Sequence, residues 1–152
     1  IIKHSNLIDV KIENSYVLDM YSGVGSFGIE CVSRGAKLVT FIEKNKNAVE
    51  VLQINLTNLA ILNKTEILNN SVKNILEKNK KHKFDIFFFD PPFLDKDFIQ
   101  NIKFIKTNRM YKKKNLIIIH REKKTDDNLI SNINIFKTNI YGRSKIIFGN
   151  FT

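Results

Sequence analysis

Cysteine is almost missing from this sequence: Cys31 stands alone among 152 residues, so no disulfide within the chain supports the fold. A reducing, cytoplasmic compartment is the expectation. Two prolines and six glycines are too few for collagen-like, low-complexity or disordered classes. No apolar run reaches eighteen residues. The longest, Phe84 to Phe89 and Leu116 to Ile119, are strand-length, so no membrane-spanning helix is expected. The chain opens on Ile1 rather than Met, without the basic start and apolar stretch of a secretory signal, as expected of a trimmed chain or a fragment. No repeat or linker interrupts it. What remains is a sequence 43% hydrophobic and 26% charged, of a length that suits one core, so a single domain over 1–152 is expected.

The net charge of +10 is unevenly spread. Residues 73–124 hold fifteen Lys/Arg against six Asp/Glu, whereas residues 1–72 are balanced at seven each. That central excess suits a surface facing a polyanion, with the lysines of 78–83 and 103–114 as phosphate contacts. The abundance of Ile, Lys and Asn also matches the codon bias of an A/T-rich genome. Charge alone leaves both explanations open, because it bears on association rather than on fold.

Periodicity gives alternating strands and helices. Ser15 to Met20 reads as a short buried strand, followed by the loop Tyr21-Ser22-Gly23-Val24-Gly25 and a helix from Ser26 to about Arg34, with Gly35 as its stop. Leu38 to Ile42 is a second strand closed by Glu43. Asn45 to about Leu59 carries Ala48, Val49, Leu52, Leu56 and Leu59 at helical spacing. Thr65 to Leu68 is the third strand, and Val72 to about Lys80 a short helix with Ser71 as its N-cap. Phe84 to Phe89 is the fourth strand, broken only by Asp85. Helices are expected at Phe98 to Ile105 and Lys123 to Ile130, and strands at Asn115 to His120, Ile133 to Thr138 and Ser144 to Phe148. Near-continuous apolar strands alternating with helices imply a mostly parallel sheet covered on both faces, closed by an antiparallel hairpin.

In such a sheet, ligands sit beyond the carboxyl ends of the strands, so the loops after the first four strands share one crevice. Three glycines in the six positions Gly23 to Gly28 let a ligand approach the backbone at a helix N-terminus. Glu43 ends the second strand, where an acid can accept bonds from both hydroxyls of a ribose. Together they indicate an adenosine-type ligand, and the lack of a Gly-x-x-x-x-Gly-Lys-Ser/Thr loop argues against a triphosphate site. Asp90-Pro91-Pro92-Phe93 is the sharpest signal. Two prolines after a buried strand fix the backbone and remove two donors, leaving a rigid set of acceptors at the sheet edge. Acceptors of that kind suit an exocyclic amine, whose hydrogens they hold while its lone pair attacks a methyl group. Phe93 offers a ring on which a base can stack. His4, His82 and His120 show no ligand spacing with Cys31 or with one another, so no metal is expected.

The string Val17-Leu18-Asp19-Met20-Tyr21-Ser22-Gly23-Val24-Gly25-Ser26-Phe27-Gly28 and its ending Ser33-Arg34-Gly35-Ala36 resemble the RsmD family, bacterial 16S rRNA guanine-N2 methyltransferases that use S-adenosylmethionine. Phe41-Ile42-Glu43-Lys44-Asn45 and Phe88-Phe89-Asp90-Pro91-Pro92-Phe93 resemble that family's second-strand and catalytic motifs. The resemblance implies a Rossmann-like class I methyltransferase fold with a seven-stranded sheet. It implies that Asp19, Tyr21, Gly23 and Gly25 hold the methionine end of the cofactor, that Glu43 and Lys44 lie at its ribose, and that Ser71 and Val72 lie at its adenine. Asp90, Pro91, Pro92 and Phe93 would be catalytic and position the guanine, with Asp90 also beside the cofactor. Ser71 stands where the family carries an acid for the adenine amine, so it or Asn70 is expected to substitute. Family members also begin with an extra segment containing an Arg-Pro-Thr stretch and an Arg-Glu pair, of which only Ile2-Lys3-His4-Ser5 corresponds here, so an N-terminal extension is expected to be missing. The implied partner is 16S rRNA or the 30S particle, met by a monomer. Two other readings share these motifs: an adenine-N6 methyltransferase on DNA or RNA, and a non-catalytic RNA-binding module on a degenerate methyltransferase fold.

Overall fold

The computed structural model describes residues 10–129 and 131–152. His4 and its neighbours lie outside the described residues. Seven strands, β1 (Tyr16–Met20), β2 (Leu38–Ile42), β3 (Thr65–Leu68), β4 (Phe84–Phe89), β5 (Tyr111–Glu122), β6 (Asn134–Tyr141) and β7 (Ser144–Asn150), form one sheet in the order β3-β2-β1-β4-β5-β7-β6. Helices α1 (Ser26–Ser33), α2 (Lys46–Asn58), α3 (Val72–Lys78) and α4 (Phe98–Thr107) connect the parallel strands β1 to β5. β7 runs antiparallel between β5 and β6, as expected for the closing hairpin.

The continuous apolar runs follow from helices on both faces. Val17, Ile86, Phe88, Leu116 and Ile118 pack under α1 and α2, with Cys31, Leu52 and Leu56. Their neighbours in sequence, Leu18, Phe87, Phe89, Ile117 and Ile119, point the other way, against Leu76, Phe98 and Ile102 of α3 and α4. Successive strand residues alternate faces, so a strand covered twice must be apolar at every position. Each fully buried Leu, Ile or Phe contributes about 1.5 to 3 kcal/mol against the entropy of ordering.

Asp85, the polar break in β4, is accounted for by its partners. Its Oδ2 accepts from the Tyr16 backbone N–H at 2.8 Å and from Lys112 Nζ at 2.7 Å. That pairing draws in the charged segment 112–114, so β5 starts at Tyr111, four residues before the expected start at Asn115, across a register shift opposite Phe84 and Ile86.

One expected helix is absent. The described part of 123–130 is a turn followed by irregular chain. Its polar groups are taken by tertiary partners instead: Asp127 binds Arg121, the Thr125 carbonyl accepts from Lys145 Nζ, and the Lys123 N–H donates to the Arg143 carbonyl. Tertiary pairing overrides a weak local propensity here.

Candidate active site

Between β1 and β4 the sheet reverses its winding, and the loops following these strands diverge from a shared cleft. Asp19 occupies the fourth position of β1, on the α1 face, and is 1% exposed. Its Oδ2 accepts from the Gly28 N–H at 2.9 Å, while Oδ1 is buried with no hydrogen-bond partner. Gly28 can approach so closely only because it lacks a side chain: an added Cβ would lie 2.3 Å from the Phe41 ring. Burial raises the Asp19 carboxyl well above its ordinary range; the Gly28 bond opposes this, and the charges of Asp90 and Glu43 add to it.

The loop Tyr21–Gly25 turns sharply. Tyr21, Gly23 and Gly25 all have positive φ, and Gly25 caps α1 at φ 87°. A Cβ on Gly25 would lie 2.4 Å from Leu52, so this glycine lets the loop pack on α2 and does not line the cleft. The Tyr21 hydroxyl accepts from Asn101 Nδ2 at 2.9 Å, and burial followed by the Asp95 charge pushes its titration up. Ser22 Oγ is, among the described residues, the other buried side-chain polar atom without a partner. Glu43 ties two loops together, its Oε2 accepting from the Gly23 N–H and its Oε1 from the Asn45 N–H, both at 2.8 Å. Each oxygen retains lone-pair capacity.

Two cavities flank Tyr21 and Asp90, which line both. The larger, of about 730 Å³, is bounded by Asp19, Ser22, Gly23, Phe27, Phe88 and His120. The rings of Phe27 and Phe88 stack with centroids 4.1 Å apart. The smaller, of about 250 Å³, is bounded by Glu43, Lys44, Ser71, Val72 and Pro92. Ser71 Oγ accepts from the Asn74 N–H at 3.3 Å as the α3 N-cap, and Asn70 Oδ1 accepts from the Ser71 N–H and from Asn74 Nδ2. Asp19, Tyr21, Gly23, Glu43, Lys44, Ser71, Val72, Asp90 and Pro92 are thus brought around one cleft. Pro91 is buried behind it, and Phe93 is 53% exposed beside it.

Two residues with no local signature complete the loop after β4. His120 Nδ1 lies 2.8 Å from Asp90 Oδ1. Arg121, 1% exposed, donates from Nη1 to the carbonyls of Pro91 (3.5 Å) and Pro92 (3.1 Å) and from Nη2 to that of Phe93 (3.1 Å). Its Nε and Nη2 also form a fork on Asp127, at 2.9 and 3.2 Å. Spacing between histidines and the lone cysteine could not reveal His120; its position at the end of the strand beside β4 could.

The lysine runs expected as phosphate contacts lie away from the cleft. Lys78 to Lys83 lead from α3 to the start of β4; of the second group, Lys103 lies within α4, and Lys106 to Lys114 run from its last turn into the first residues of β5. Both segments therefore lie at the amino ends of the strands, about 20 Å from Asp90 across the six residues of β4. The reason is topological: a helix returning beneath a parallel sheet delivers its carboxyl end to the edge opposite the cleft.

This strand order, with a cleft at the carboxyl ends of β1 and β4, is the class I methyltransferase fold. The family described as Conserved hypothetical protein 95, the RsmD family, matches residues 3–150, and the chain belongs to it. Ribosomal RNA small subunit methyltransferase D of Buchnera aphidicola (subsp. Acyrthosiphon pisum) is 33% identical over 129 residues, covering 85% of this chain and 67% of the relative. The protein of that name from Haemophilus influenzae is 37% identical over 115 residues, covering 74% of this chain and 59% of its own length. The matched stretch thus spans about three fifths to two thirds of these relatives. A solved Haemophilus influenzae structure, described as a candidate methylase, superimposes with a TM-score of 0.85 at 30% identity, covering 99% of this chain and 96% of that one.

Proposed function

We propose that the chain transfers a methyl group from S-adenosylmethionine to the N2 amine of a guanine in 16S rRNA, acting in the cytoplasm as a single-domain monomer on the 30S particle. The observation that carries this reading is the rigid Asp90-Pro91-Pro92-Phe93 acceptor loop, which meets the cavity holding the unpartnered Asp19 Oδ1. The names of the relatives support the same substrate class.

The cleft's donors and acceptors fit the cofactor. Asp19 Oδ1 and Ser22 Oγ, buried and unpartnered, suit the polar amino-acid end of the ligand, and Glu43 keeps lone pairs for ribose hydroxyls. Ser71 and Asn70, already bonded to their own loop, offer the adenine side weaker acceptance than the family's acid would. The cofactor supplies an electrophilic methyl group on a sulfonium. Asp90 accepts a hydrogen of the guanine amine, keeping its lone pair free to attack, and the exposed Phe93 ring stacks on a base turned out of its helix. Alignment of the reactants supplies most of the acceleration.

The test is transfer of labelled methyl to 30S particles from cells lacking the endogenous enzyme, followed by nucleoside analysis. N2-methylguanosine is expected, and Asp90→Ala should abolish it while cofactor binding persists. N6-methyladenosine would move the assignment to the adenine rival. Absence of cofactor binding would favour the non-catalytic module.

A further inference from the structure

Near its end β5 carries two residues that point to opposite faces of the sheet, and both reach the loop after β4. His120 lies on the α1 face, where it lines the larger cavity with Asp19 and Phe27. Arg121 lies on the α4 face, its guanidinium 4.6 Å above the Phe98 ring. We propose that His120 and Arg121 are positioning residues for methyl transfer, gripping the acceptor loop from its two sides. The proposal rests on the reading of this cleft as a methyltransferase site.

The two grips hold different parts. Asp90 is 45% exposed at its side chain and would otherwise sample several rotamers. A carboxylate has no hydrogen to give, so the hydrogen of the 2.8 Å bond sits on His120 Nδ1, and Asp90 Oδ1 is its acceptor. Oδ2 is left without a part in that bond and can accept from an amine. The backbone is held separately. The Asp-Pro-Pro sequence ends the β4 ladder, and three successive carbonyls, those of Pro91, Pro92 and Phe93, turn onto one guanidinium. All five Arg121 N–H groups are then engaged, three on these carbonyls and two on Asp127. A planar fork with every donor used permits one loop conformation, and with it one placement of Phe93. The carbonyls of Pro91, Pro92 and Phe93 are thereby turned toward the guanidinium, which leaves the Asp90 carboxylate as the principal acceptor for the amine.

The experiment compares His120→Ala, His120→Asn and Arg121→Lys in the full chain, measuring kcat and KM for methyl transfer, cofactor affinity and melting temperature. His120→Ala should lower kcat about 10- to 100-fold, as expected of an ångström-scale misplacement, with a much smaller change in cofactor affinity and in melting temperature. His120→Asn should restore most of that loss, because its amide can donate to Asp90. Arg121→Lys keeps the charge but not the fork and should lower kcat similarly. Should it fail to fold, the volume-matched pair Arg121→Met with Asp127→Leu removes the ion pair as a unit and should still lose kcat. A His120→Ala enzyme with wild-type kcat, or an Asn variant no better than Ala, overturns the role of His120. Wild-type kcat in both Arg121 variants overturns that of Arg121. A readout without turnover separates this proposal from the reading beneath it: the imidazole Nδ1 proton resonance should be present in the wild type and lost in Asp90→Ala. Its absence from the wild type overturns the grip, whereas its presence in a protein that transfers no methyl overturns the proposed reaction and leaves the pairing standing.

Discussion

Asp127→Ala strips the carboxylate from a guanidinium that is itself 1% exposed, with Asp127 at only 7%. Removing one partner of a buried ion pair costs about 3 to 5 kcal/mol, because the remaining charge is left without compensation. Here three of the five Arg121 N–H groups keep carbonyl partners and the Phe98 face remains in contact, so the lower end, about 3 kcal/mol, applies. For a chain of this length, at about 2 to 4 °C per kcal/mol, the melting temperature should fall by about 6 to 12 °C. The assay is thermal unfolding followed by circular dichroism, with urea unfolding as a check on the free energy. Replacing both partners, Arg121→Met with Asp127→Leu, should recover part of the loss, since apolar groups substitute well for a buried pair while the carbonyls of Pro91, Pro92 and Phe93 lose their donor. A fall below about 2 °C in Asp127→Ala, or a double variant no more stable than the single, would refute the reasoning.

Two further perturbations address charge. The Asp19 carboxyl is raised in the folded state above its ordinary value of 3.8, so folding favours its protonated form and stability is lost as pH rises above that value. Asp19→Asn escapes the loss: its melting temperature relative to wild type should increase from pH 4 to pH 7 without cofactor, and a difference constant with pH would refute the assignment. At the opposite edge, reversing Lys80, Lys81 and Lys83 to Glu should leave cofactor binding intact and weaken RNA binding if phosphates reach that edge. For every phosphate no longer neutralised, the salt-dependence slope should drop by about 0.7 to 0.9. An unchanged slope would restrict RNA binding to the rim of the cleft.

The elements that were legible in the sequence are those whose signal is local. Phe84 to Phe89 and Leu116 to Ile119 announce strands covered on two faces, and the glycines after β1 and the prolines after β4 mark the turns that open the cleft. What escaped depends on partners distant in the chain. Arg121 and Asp127 hold 123–129 away from a helix, and Asp85 with Lys112 extends β5 through a charged stretch that reads as loop. His120 meets Asp90 across thirty residues, a pairing that no spacing rule among histidines can encode. The direction of the lysine-rich loops was readable in principle, since parallel topology fixes which edge each loop occupies.

β7 imposes an order of assembly. His120 and Arg121 are paired in the sheet with Ile146 and Lys145, so β5, which grips the acceptor loop, is itself backed by the last of the seven strands to be synthesised. The 55 residues from Asp90 to Lys145 take about 3 to 11 s to translate at about 5 to 20 residues per second. During that interval the acceptor loop exists without the backing of its final neighbour. A nascent chain can complete β1 to β4 early, yet β5 gains its second neighbour only with β7, so the strand that holds the acceptor loop stays an open edge until synthesis has passed all of the sheet.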